Sequence, residues 1–399
     1  PAPADPDPAD PDPPAAVDVD VTGKRAVPLR GAADHRVEVG ELSAVPRQSA
    51  SEILKLTPSV FLMKNGGGEG HADRIYLRGF DAREGQDIEL SVDGVPINES
   101  ANHHGSGLAD LNFIIPELVR GVRVLQGPYD PRQGNFAVAG SADYELGLDR
   151  RGISTKVTYG SWNTARLLTL WGPAGASPRT YAGAEIYRTD GFGQNREAWR
   201  ARAMGQYEGK LGAGTSIRIA GVAYAAEYQS AGLLRASDVE SGEKGFYDTY
   251  DPNQGGSSMR FHASTDIETR SGPTTYGVQV FGIFRSMRLR ENFTGFLLDP
   301  QLAREAPHAQ RGDLTDLSMT EGTFGLRGFG RHSFSVAELT QELEVGLFAR
   351  GDLAGALQQR LKSGGTVPYR TLADFDSKIA DLGLYLDATA RFLPWLALR

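Results

Sequence analysis

The 399-residue sequence has no cysteine, so neither a disulfide framework nor a thiolate metal site can form. It has no run approaching the ~18 consecutive apolar residues of a membrane helix, which excludes a helical membrane protein. A transmembrane barrel is not excluded, because its strands alternate and leave only a weak hydropathy signal. Positive charge is in deficit: 42 Lys and Arg face 50 Asp and Glu, and the net charge of −8 argues against a nucleic-acid partner. An initiating Met and a secretory leader are missing, and the first residue, Pro1, opens a polar tract. A processed or incomplete N-terminus is therefore expected. No Walker motif, nucleophile elbow, zinc-protease helix motif or EF-hand loop occurs. The motifs alone favour neither an enzyme nor a cofactor site.

What the chain has in quantity is glycine, 49 residues, which suits turns and close backbone approach. From Gly152 onward it also has strands of period two. Leu382, Leu384, Leu386, Ala388, Ala390 and Phe392 alternate with Gly383, Tyr385, Asp387, Thr389 and Arg391. Leu339, Leu343, Val345 and Leu347 oppose Glu338, Thr340, Glu342 and Glu344, and Trp199, Ala201 and Ala203 oppose Arg200, Arg202 and Gln206. One face apolar and the other charged means a sheet between grease and water. A soluble sandwich shows the same period, so alternation alone does not prove a membrane. Strands are predicted near 152–160, 164–171, 179–188, 198–207, 214–228, 258–268, 274–290, 320–330, 336–349 and 380–392, with an eleventh starting near Trp395. Short connections alternate with three long ones, at 229–257, 291–319 and 350–379, the asymmetry of an outer-membrane barrel.

The N-terminal portion reads differently. Pro1–Ala16 is a Pro/Asp/Ala tract expected to be extended and disordered. Val17, Asp18, Val19, Asp20 and Val21 then alternate, a short strand suited to pairing with another protein's sheet edge or with the chain's own sheet. Ser49 or Ser51 can cap a helix carrying Ile53, Leu54 and Leu56, which Thr57-Pro58 ends. The loop Asn65–Gly70 is glycine-rich but lacks the Lys-Ser/Thr of a phosphate-binding loop. In the polar loop Asn98–Asp110, adjacent His103 and His104 make a poor chelate unless other groups converge, so loop polarity is favoured over a metal site. Asp251 and the acidic residues near 238–248 read as a solvated loop rather than a calcium site.

The stretch from Asp73 to Leu146 carries the most information. Ile75–Arg78 is a strand closed by Gly79, and Ile88–Val92 a strand closed by the Asp93-Gly94 turn. Pro116-Glu117 opens a short turn of helix, with proline first and a carboxylate at the positive end of the dipole. Val122–Leu125 is a strand running into Gly127-Pro128, and a segment punctuated by Gly134, Gly140 and Gly147 follows.

In this order, LRGF, VDGVPIN, PELVRGVRVLQGP and GNFAVAGSADYEL resemble the plug domain of TonB-dependent outer-membrane receptors. The departures are Ala139-Gly140 in place of a paired glycine, and ADYEL in place of a purely apolar last strand. The resemblance implies a membrane all-β protein, a transmembrane antiparallel β-barrel with an N-terminal α+β plug domain. Such barrels close with 22 strands, so the roughly eleven seen here imply a partial barrel. It divides the chain into a tail with a TonB-box-like strand (1–24), a plug (25–150) and the N-terminal part of a barrel (151–399). It further implies energy-coupled uptake of a scarce ligand of the siderophore, cobalamin, haem, metal or glycan class across a Gram-negative outer membrane. Val17–Val21 would be the box gripped by a TonB-type periplasmic protein. Asn98, Asn102, His103 and His104 would meet ligand at the plug apex, and the turn at Asp81–Gln86 would lie at the opposite, periplasmic end. A sensing receptor of the same architecture and a soluble secreted β-rich enzyme are the alternatives.

Overall fold

The computed structural model describes residues 33–40, 45, 47–64, 71–102, 105–292, 313–362, 367–393 and 395–399. Two bodies of structure follow one another. The first holds eight short strands: β1 (Asp34–Glu38), β2 (Val60–Met63), β3 (Arg74–Leu77), β4 (Phe80–Asp81), β5 (Ile88–Val92), β6 (Val95–Pro96), β7 (Val119–Gln126) and β8 (Gly140–Leu146). They form a sheet in the order β1-β7-β8-β5-β6, with β5 and β8 parallel, and a small sheet β2-β3-β4. The expected helix is a 3-10 helix, Ala50–Leu56; Ser49 caps it by accepting from the Ser51 N–H, and Thr57 ends it in extended backbone. Ile53, Leu54, Ile75, Ile88, Leu90, Ile114, Ile115, Leu118, Val122 and Val124 are buried together as its core. Pro116–Leu118 is a single 3-10 turn with Pro116 and Glu117 at its start.

The second body is one eleven-stranded antiparallel wall in chain order. Its strands are β9 (Gly152–Gly160), β10 (Thr164–Gly172), β11 (Tyr181–Thr189), β12 (Ala198–Gly212), β13 (Thr215–Gln229), β14 (Gly255–Ser271), β15 (Thr274–Glu291), β16 (Asp313–Val336), β17 (Leu339–Lys362), β18 (Pro368–Leu393) and β19 (Leu396–Leu398). Within the described residues the two ends of this wall, β9 and β19, do not pair. Short turns at one end, residues 213–214, 272–273 and 337–338, join strands whose other ends carry the longer connections 190–197 and 230–254.

One expectation is corrected here. Residues 350–379 are not a long loop but the continuation of β17 and the first half of β18, paired from Leu361↔Pro368 to Gly351↔Ala380. Period two persists through the described residues of this stretch, but Gly351, Gly355 and Ser377 dilute its apolar contrast, so it reads as loop. β16 likewise runs past the predicted end at 330 to a turn at 337–338.

The wall is inverted relative to a soluble sheet. Ile153, Val157, Ile186, Leu382, Leu384 and Leu386 are exposed on one face, whereas Glu185, Arg200, Arg202, Arg285, Glu344 and Asp352 are buried on the other. A sandwich buries its apolar face against a second sheet; here the charged face is covered and the oily face is outside. That arrangement overturns the alternative of a soluble enzyme and fits a wall facing lipid. What covers the charged face is the first body. Contacts run from Glu117–Arg166 on β10 through Asp93–Arg218 on β13 and Arg132–Glu344 on β17 to Asn135–Asp381 on β18, so the wall wraps around the plug.

Candidate functional site

The seam between plug and wall is lined by ion pairs, some within the wall and some crossing to the plug. On β11, Glu185 is fully buried and receives Arg166, Arg200 (2.7 Å) and Arg202 (3.5 Å), while Arg166 also grips plug residue Glu117 at 2.6 Å. Three guanidiniums around one carboxylate, with Glu117 as the second, is a network in which every charge needs its neighbours. Arg202 also donates to the carbonyl of Ile114 at 3.1 Å, tying the wall to the plug backbone.

Near the short-turn end the plug is pinned by the β5–β6 hairpin. Asp93 and Gly94 both have positive φ, 49° and 84°, the backbone of a tight two-residue hairpin, and Val92 pairs with Val95 across it. Asp93 lies 3.3 Å from Arg218 and 3.5 Å from Arg179, and its carbonyl accepts from Gln279 at 3.0 Å. Burial pushes the Asp93 carboxyl up to about 6 even though both arginines pull it down.

The segment Asn98–Asn102 lies farther from the short turns, clamped to β15–β17. Glu99 pairs with Arg285, the Ser100 N–H donates to Glu321 at 3.1 Å and its hydroxyl to Asp352 at 2.5 Å, and Arg350 donates to the Asn98 carbonyl at 2.7 Å. Toward the long-connection end His71 approaches Glu291 at 3.2 Å and packs edge-on against Tyr228.

The residues expected at the apex separate in this geometry. Asn98 is 1% exposed: its Oδ1 accepts from Leu90 N–H at 2.8 Å and its Nδ2 donates to the carbonyls of Ile88, Gly85 and Gly107. Its amide is engaged in holding plug segments together. Asn102 is also buried and donates to Glu99 at 2.6 Å. His103 and His104, the loop 65–70 and Val17–Val21 lie outside the described residues. The turn around Glu84-Gly85 is not at the opposite end of the plug from the Asn98 segment. The Glu84 carbonyl accepts from Ala109 N–H at 2.9 Å and Gly85 abuts Gly107, so the two segments share one end.

Sequence reasoning did not single out Glu185, Arg285, Glu321, Arg350 or Asp352, which carry this seam. The available signal was charge recurring at every second position of strands whose other face is oily. Among the described residues no cluster of metal-ligating side chains occurs.

Comparison with known proteins agrees with this architecture. Residues 32–141 match the family model described as TonB-dependent Receptor Plug Domain. No curated protein matches the sequence. Among solved structures, the ferric citrate transporter FecA in its unliganded form superposes with a TM-score of 0.70 at 14% identity, covering 90% of this chain and 53% of FecA. The outer-membrane ferripyoverdine receptor of Pseudomonas aeruginosa gives 0.66 at 12% identity, over 90% of this chain and 50% of its own. The copper transporter OprC gives 0.62 at 14%, over 91% and 52%. At such identities the likeness is one of fold, and the chain spans about half the length of the structures it matches. Fold and seam together define a plug enclosed by part of a β-barrel wall. Residues 32–141 match the TonB-dependent receptor plug family, and the wall around them has the fold of part of such a receptor's barrel.

Proposed function

We propose that this chain serves energy-coupled import of a scarce ligand, and that a TonB-type periplasmic protein drives it by pairing with Val17–Val21. The observation that carries the reading is the plug held against the inner face of a lipid-facing wall by buried ion pairs: it fills the concave side of that wall, so passage along it requires work on the plug. A strand of alternating Val and Asp ahead of the plug offers unpaired backbone groups for a partner to grip. Asn102, His103 and His104 stay as the proposed ligand contacts, whereas Asn98 serves as a buried scaffold residue of the plug. Ferric citrate, ferripyoverdine and copper are the ligands of the structures it resembles, which supports a metal or metal-chelate cargo within the wider siderophore, haem, cobalamin and glycan range.

The test is genetic. A deletion strain grown on panels of iron, copper, cobalamin and glycan sources should show one growth defect that the wild-type gene restores. Val19→Pro removes a ladder donor from the box. It should fail to restore growth while surface binding of that source is unchanged. Full restoration by Val19→Pro would sink the assignment of the box.

A further inference from the structure

Away from the Asn98–Asn102 segment, a cavity of about 550 Å³ opens between the plug turns at Gly94 and Gly134 and the inner face of β13–β18. It lies toward the short turns, on the far side of the plug from the longer connections. On β16–β18 its lining is a tiling of rings and guanidiniums. The Arg327 guanidinium lies 5.0 Å from the ring centroid of Phe348, its cross-strand neighbour, and that of Arg331 lies 5.4 Å from Phe329. Tyr385 covers Gly346, where a Cβ would strike its ring, so the aromatic planes are free to lie against the wall. Arg132 enters from the plug.

The charges are arranged asymmetrically. Glu344 takes both Arg331 (2.6 Å) and Arg132 (2.7 Å), and its side chain is only 2% exposed; Glu89 takes Arg327 (3.1 Å) at 7%. The three arginine side chains are 26–34% exposed. Each carboxylate is more deeply buried than the guanidinium it holds, so all three guanidiniums keep accessible edges, while among the other lining carboxylates Glu208 accepts from Ser177 and Glu268 is exposed. Asp387, 3.7 Å from Arg132, is also held by Arg399. On the other sides of the cavity Asp266 is engaged by Arg218 and Gln279, and Asp381 by Asn135.

Exposed guanidinium edges beside flat rings recognise an anionic group carried on an aromatic ring, by charge-assisted hydrogen bonds and stacking together. We propose that this cavity is a second ligand site, on the release side of the plug, for a planar aromatic group bearing a negative charge. The proposal deepens the transport reading and rests on it: cargo that has passed the apex is held here before it leaves.

The full chain in detergent is titrated with benzoate, benzamide and acetate by calorimetry, with no coupling protein present. Benzoate should bind, and benzamide and acetate should bind at least about tenfold more weakly. Arg331→Met and Arg327→Met should each weaken benzoate about tenfold, one charge-assisted contact apiece. Arg331→Lys keeps the charge for Glu344, guards against misfolding, and should give an intermediate loss because the planar fork is gone. Equal binding of benzamide, or benzoate binding that ignores both Met variants, or none at all, overturns the site. The titration is independent of Val19→Pro, so the release-side site can fail while the transport reading stands, and the reverse.

Discussion

Asn98 shows what a single side chain does in this plug. Read as a polar residue in a polar loop, it is a ligand contact; folded, it is a four-bond spacer between β5 and the Gly85 and Gly107 backbones. Asn98→Ala leaves buried backbone groups without partners, at a cost of about 1–3 kcal/mol. Hydrogen exchange should accelerate at Leu90, and an unchanged rate there would show the amide to be dispensable. Glu185 is the corresponding case in the wall. Glu185→Gln strips the carboxylate from three arginines, and breaking a buried network from one side costs ~3–5 kcal/mol. The denaturation midpoint in detergent should fall accordingly.

Among the elements, the Asp93-Gly94 hairpin was legible from sequence as a turn, but its task was not. Arg179 and Arg218 are more than eighty residues away in the chain, and only folding brings them to Asp93. Because the folded Asp93 titrates near 6, above its ordinary 3.8, its contribution to stability is full below about 3.8 and is lost as pH rises through 6. Asn tolerates the same left-handed backbone, so Asp93→Asn should fold. Its stability relative to wild type should improve between pH 4 and pH 7, and parallel pH profiles for the two proteins would contradict the burial of this carboxyl. Strand positions followed from period two wherever apolar and polar residues contrast. They were missed at 350–379, where glycine and small polar residues flatten the contrast without ending the pairing.

At the scale of the whole molecule, the decisive feature is which face of the wall is covered. Leu384 is 78% exposed on the outer face. In a lipid-facing wall Leu384→Arg should cost ~2–4 kcal/mol near the midplane, read as impaired folding into liposomes. In a soluble sheet the same exposed position would accept arginine freely, so normal folding of this variant would contradict the lipid-facing assignment.

The sequence by itself determined the local matters: turn residues, strand period, a proline-started helical turn, and an ordered set of plug motifs. These depend on neighbours a few positions apart, where backbone preference and alternation act directly. It could not determine which side of the strands meets lipid, since alternation is symmetric between the two faces. Nor could it say which buried charges find each other. Those outcomes belong to tertiary structure, because an ion pair between plug and wall joins residues as far apart as Glu89 and Arg327, and is specified only when one body is wrapped around the other.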